Sequence, residues 1–115
     1  MMEKENIILK LTLEFSLLII EYCEILEENK RFVIANQLLK SGTSIGANIR
    51  EAQNAESLND FVHKFKIAAK EIDETMYWLE LCQLSKKYPN TEYLTEKLVN
   101  ILKIVNKIIS TSKSR

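Results

Sequence analysis

Two glycines, one proline, two cysteines and one histidine are all that 115 residues hold of those four types. Each scarcity removes a class of function. A zinc site draws closely spaced ligands from Cys, His and carboxylates, but His63 stands alone and Cys23 and Cys82 make no C-x-x-C pair. A carboxylate-bridged dimetal bundle needs two Glu-x-x-His pairs and two further Glu; Asp60-x-x-His63 is the one approximation. Gly42 and Gly46 lack the flanking strand and the Lys of a phosphate-cradling loop. No apolar run approaches the ~20 residues of a membrane helix, since Phe15 to Ile20 is closed by Glu14 and Glu21. The N-terminus, Met1-Met2-Glu3-Lys4-Glu5, is acidic and lacks a signal-peptide pattern. The expectation is a cytoplasmic, non-enzymatic protein without metal, cofactor or membrane partner, its two cysteines reduced core thiols and not a disulfide.

What is present is material for helices. With 46% apolar and 28% charged residues, the chain reads as globular and as one domain over 1–115. Net charge is zero, but the charges are segregated: residues 1–30 carry seven acids and three bases, residues 87–115 two acids and six bases. Either the first and last helices lie side by side and compensate each other, or a basic C-terminal rim meets nucleic acid.

Apolar residues recur in steps of three and four. The first helix spans about 6–28, with Ile8, Leu11, Phe15, Leu18, Tyr22 and Ile25 on one face. Between Ile7 and Leu26, 14 of 20 residues are apolar, whereas a helix facing one core needs only ~3 in 7; the excess asks for a second buried surface. The second helix, about 31–54, aligns Ile34, Leu38, Ile45, Ile49 and Ala52. The third, about 57–86, opens on Ser57 and Asp60, which resemble a capping box. It carries Phe61, Phe65, Ala68, Ile72, Met76 and Leu79 on one face and Ile67, Glu71, Glu74, Trp78 and Leu81 nearly opposite. Tyr88-Pro89-Asn90-Thr91 is the clearest loop, and the fourth helix, about 91–111, is striped by Leu94, Leu98, Ile101, Val105 and Ile108. Long helices with short connections predict an all-α, antiparallel up-down-up-down four-helix bundle.

The most informative stretch is Ser41-Gly42-Thr43-Ser44-Ile45-Gly46-Ala47-Asn48-Ile49-Arg50-Glu51-Ala52. Each glycine in a helix interior costs about 1 kcal/mol relative to Ala, so two in one helix point to close backbone approach. Beside the apolar face runs Gln37, Ser41, Ser44, Asn48, Glu51, spaced 4-3-4-3. That spacing passes through both glycines and favours one continuous helix. The alternative breaks it, with Gly42 as a C-terminal cap and Ser44 as a new N-cap. Gly42-x-x-x-Gly46 has the form of a membrane dimer motif but is too polar for a bilayer, which leaves close packing in water. Glu71 and Glu74, one turn apart beside Lys70, fit ion pairing or a subunit interface better than acid–base chemistry. Trp78 fits an anchor in a core or interface.

Gln37 through Ala52 resembles the signature of the bacterial four-helix-bundle proteins encoded in 23S rRNA intervening sequences. A second block is similar to the same family: Ser57, Asp60-Phe61-Val62-His63-Lys64, Ala68, Lys70-Glu71, Glu74-Thr75 and Tyr77-Trp78-Leu79-Glu80-Leu81. The accessory variability protein of diversity-generating retroelements resembles this group too. The resemblance implies a barrel-like homopentamer, associated with structured RNA or a reverse transcriptase, without established enzyme activity. The retroelement proteins are markedly basic and this chain is neutral.

Three groups of residues follow as candidates. Ser41, Gly42, Ser44, Gly46, Asn48 and Glu51 form the packing motif, with Asn48 bonded within the bundle and Glu51 paired to a base or backbone donor. Ile67, Glu71, Glu74, Trp78 and Leu81 form a subunit interface. Lys97, Lys103, Lys107, Lys113 and Arg115, then Arg50 and Lys40, are the candidates for nucleic-acid contact. A protein–protein adaptor that binds no nucleic acid is the competing reading.

Overall fold

The computed structural model describes residues 3–113. It contains four α-helices and, among the described residues, no strand: α1 (Glu3–Glu28), α2 (Phe32–Ala52), α3 (Leu58–Leu84) and α4 (Glu92–Lys113). These bounds fall within three residues of those read from the sequence. A 27-residue helix is about 40 Å long, so the helices run along the long axis of a body measuring 48 × 21 × 19 Å. Contacts close a cycle, α1 on α2, α2 on α3, α3 on α4 and α4 on α1, with the diagonal pairs apart.

Local chemistry sets the boundaries. Past α1, Lys30 takes a left-handed backbone, φ 62°, and the Arg31 N–H donates to the Leu26 carbonyl at 2.8 Å, which satisfies a carbonyl that the helix end leaves open. At α3 the Ser57 hydroxyl accepts the Asp60 N–H at 3.0 Å, and the Asp60 carboxylate accepts the Glu56 N–H at 3.2 Å. This is a capping box displaced by one residue, because the shorter Asp reaches a different donor than Glu does. The alternative break in α2 does not occur; the helix is continuous through both glycines.

The core runs along the axis through Ile8, Phe15, Ile19, Leu38, Ile45, Ile49, Phe65, Ile72, Leu79, Leu98, Ile101 and Val105, all buried. One residue read as core lies elsewhere. Ile25 is exposed, and the inward positions at that level are Tyr22, Cys23 and Leu26. At 100° per residue, the step of three from Tyr22 to Ile25 swings away from the core, whereas the step of four to Leu26 stays on it. α1 does lie against α4, yet no ion pair joins them among the described residues; the single pair is Lys64–Glu51, between α3 and α2.

Candidate functional site

The α1–α2 seam is built on the two glycines. A Cβ on Gly42 would lie 2.9 Å from Cγ2 of Ile19, a buried core side chain, and one on Gly46 would lie 3.2 Å from the Thr12 hydroxyl. The small polar residues around them are satisfied locally. Thr12 donates to the Ile8 carbonyl at 2.8 Å, Ser16 to Thr12 at 2.9 Å, Thr43 to Leu39 at 2.7 Å and Ser44 to Lys40 at 2.6 Å. Small side chains that bond their own helix present little bulk to a neighbour. On the outer side of this seam α1 leaves Leu13, Leu17 and Ile20 at 54%, 55% and 38% exposure. Spaced four and three apart, they form one apolar stripe beside a shallow groove lined by Thr43, Gly46 and Ala47 of α2.

The α2–α3 face brings together two of the sequence-read groups. Ser41 is buried, and its hydroxyl and that of Thr75 hydrogen-bond to each other at 2.9 Å. Lys64 reaches Glu51 at 3.2 Å. Asn48 donates to the Ser44 carbonyl at 2.8 Å, within α2. Facing them on α3, Ile67, Glu71, Trp78 and Leu81 are half-buried and Glu74 is exposed. Trp78 packs against the core edge, and its indole N–H donates to Glu74 at 3.1 Å. Partial burial holds the Glu71 carboxyl above the usual range, as does the Glu74 charge, while Lys40 opposes both.

The lysines of α4 do not gather into one patch. Lys97 lies over the Tyr93 ring at 5.2 Å, Lys103 and Lys107 are exposed one turn apart on the outer side, and Lys113 sits against Lys66 of α3. Arg115 lies outside the described residues. Arg50 borders the α1–α2 groove, and Lys40 faces Glu71.

Sequence reading missed two basic groups. Lys66 and Lys113 are 47 positions apart in the chain, and only the pairing of α3 with α4 joins them; with His63 they line a cleft at the start of α3. Elsewhere the α1–α2 and α3–α4 connections meet. Arg31 lies over the Tyr88 ring at 4.9 Å, its Nε buried without a hydrogen-bond partner, and the Tyr22 hydroxyl donates to the Pro89 carbonyl at 2.7 Å. Lys30, Lys86 and Lys87 flank this junction in sequence.

Beneath the junction both cysteines are free and buried. Burial, with Glu27 and Cys82 adding to it, pushes the Cys23 thiol up to about 12. Burial also raises Cys82, against the Tyr22 hydroxyl, and raises Tyr22 itself. Nothing here poises a thiolate for attack at neutral pH. Among the described residues no group of three His, Cys, Asp or Glu side chains converges as metal ligands, and no helix is long and apolar enough to cross a membrane.

The profile of the 23S rRNA-intervening sequence protein family matches residues 4–111. The chain belongs to that family. Comparison with curated proteins finds no match. Among solved structures it is similar to a protein of unknown function from the S23 ribosomal protein family of Bacteroides thetaiotaomicron. The two share 42% identity over 93% of this chain and 98% of that one, with a TM-score of 0.87. The family match therefore takes in the glycine seam, the α2–α3 face and the cleft lysine Lys66, and stops short of Lys113.

Proposed function

We propose that this member of the 23S rRNA-intervening sequence family is a non-enzymatic, cytoplasmic scaffold. In this reading it is an antiparallel up-down-up-down bundle that assembles with its own copies into a ring of five. The short connections, residues 29–31, 53–57 and 85–91, support the antiparallel course, because so few residues reverse a helix more readily than they cross the bundle. The observation that carries assembly is the Leu13, Leu17, Ile20 stripe. Three large apolar side chains in helical register beside a small-residue groove are an interaction surface in water. A closed ring needs two different faces in head-to-tail contact. The α1–α2 stripe supplies one, and the α3 face with Ile67, Glu71, Glu74, Trp78 and Leu81 supplies the other.

Light scattering tests this. The expected mass is five times 13.4 kDa, and Leu13→Glu with Leu17→Glu should lower it to one chain while helix content holds. A monomeric wild type at micromolar concentration overturns the assembly.

The same reading gives the scaffold structured RNA, or a ribonucleoprotein such as a reverse transcriptase, as its partner. Lys103 and Lys107, repeated around a ring, add weak contacts through multivalency. Electrophoretic shifts at several salt concentrations check it: phosphate contact predicts affinity falling steeply with salt, and a shallower slope after Lys103→Gln with Lys107→Gln. The zero net charge and the scatter of the α4 lysines favour the second reading, a protein–protein adaptor without nucleic acid. Binding that is absent at low salt, or indifferent to salt, supports that one.

A further inference from the structure

We propose that the cleft between the start of α3 and the end of α4 is a binding site for a phosphate group. The cleft has a volume of about 420 Å³ and is lined in part by Asn59, His63, Lys66, Ser112 and Lys113. No carboxylate lines it, and neither lysine has a carboxylate partner among the described residues, where the one ion pair is Lys64–Glu51. Asp60, the nearest acid in sequence, is already engaged with the Glu56 N–H.

Three independent features point to an anion. First, two ammonium groups are held against each other. The Lys66 ammonium is fully exposed, yet its pKa is lowered by contact with Lys113 and by that neighbour's charge. Like charges at such range in water repel unless an anion sits between them. Second, Ser112 is 3% exposed, lines the cleft and makes no hydrogen bond among the described residues. A buried hydroxyl without a partner costs about 1–3 kcal/mol, and a bound oxyanion would accept from it. Third, the cleft lies where the 27-residue α3 begins. Open N–H groups and the helix dipole favour negative charge there. Ser57 occupies the Asp60 N–H, and the N–H groups before it remain available to a ligand.

The donors match a tetrahedral oxyanion: two ammoniums on one side, the Ser112 hydroxyl at the floor, and an imidazole N–H of His63 at the rim. A carboxylate would use fewer of them. The group can belong to a free phosphate or nucleotide, or to an RNA backbone. The site does not depend on the RNA-scaffold reading and adds to it only in the second case.

The test uses the full chain and inorganic phosphate, followed by amide NMR shifts with chloride as the control salt. Saturable shifts at His63, Ser112 and Lys113 are expected. Lys66→Gln with Lys113→Gln should weaken binding about ten-fold or more, the loss of charge-assisted contacts. Ser112→Ala should weaken it several-fold. Both lysines are on the surface, so the double variant keeps the fold, and its circular dichroism shows it. No saturable shift, or shifts unchanged in the double variant, overturns the site. A nucleoside monophosphate and a single-stranded RNA oligomer then separate the sources. RNA binding lost in the double variant places an RNA phosphate in the cleft, whereas phosphate binding without RNA binding assigns it to a free phosphate or nucleotide. RNA binding that persists in the double variant while inorganic phosphate fails to bind overturns this site and leaves the scaffold reading standing on Lys103 and Lys107.

Discussion

Along the α1–α2 seam, Gly42 lets Ile19 sit where any Cβ would come within 2.9 Å of it, and Gly46 does the same more loosely for Thr12. Along the α3–α4 seam the side chains stand apart, and two clefts open. One is edged by Glu80, Glu92 and Glu96, the other by His63, Lys66 and Lys113. Both seams join neighbouring helices of one bundle, yet one is sealed by absent side chains and the other held ajar by charged ones. A sealed seam transmits any added volume to the core, and an open one accepts volume and ligands. Stability and recognition are therefore lodged on different sides of the same molecule.

The largest test of that contrast adds volume to each seam. Gly42→Leu must displace Ile19 from a filled core and should destabilise by about 3 kcal/mol or more, or prevent folding, overpacking being worth ~1–3 kcal/mol before the strain of a full side chain is added. Thr95→Leu, in the acidic cleft of the α3–α4 seam, should change stability by about 0.5 kcal/mol or less. Equal thermal shifts for the two would erase the distinction between the seams.

Next in size is the α2–α3 interface, which is bonded and not merely packed. Thr75→Val keeps shape but strands the buried Ser41 hydroxyl, with an expected loss of about 1–3 kcal/mol by urea unfolding. Ser41→Ala with Thr75→Val should recover part of it, since removing both partners is gentler than removing one.

Alkaline pH sharpens the comparison at the end where α1 meets the α3–α4 connection. The folded state keeps Cys23 protonated up to about 12, while an unfolded thiol ionises from about 8.5 upward. Above that value the unfolded chain holds fewer protons, so stability is full below it and falls as pH rises towards 12. One such group contributes a slope of about 1.4 kcal/mol per pH unit. Cys23→Ala should remove one group's worth of that slope in unfolding titrations, and an unchanged slope would show that Cys23 ionises freely in the folded state.

Gly46→Ala should have the smallest effect on the sealed side. The added methyl meets the Thr12 hydroxyl at 3.2 Å, a tight contact set against the ~1 kcal/mol gained in helix propensity, so a net change of about 1 kcal/mol or less is expected in thermal unfolding. A loss as large as that for Gly42→Leu would mean that the seam is equally rigid along its whole length.

Helices and seams differ in how far the chain alone discloses them. Periodicity marked all four helices because each has one face towards a single core, and the glycine pair signalled close approach because nothing else explains two of them in mid-helix. Ile25 went astray because a 3-4 alternation has two continuations at each step, and only packing chooses between them. The Lys66–Lys113 contact was beyond reach, since it depends on the longitudinal register of α3 against α4 and the spacing within either helix carries no trace of that. Arg31 over Tyr88 escaped for a related reason, two connections distant in sequence meeting in space.

That meeting of connections has a consequence for kinetics. The hydrogen bond from Tyr22 to the Pro89 carbonyl spans 67 positions, so it forms only after α1, α2 and α3 have already been brought into place. A contact made that late is absent from the folding transition state and present in the native one. Tyr22→Phe should therefore leave the folding rate nearly unchanged and quicken unfolding. The bond works as a latch on the way out of the native state, and the lifetime of the folded chain depends on it more than its rate of formation does.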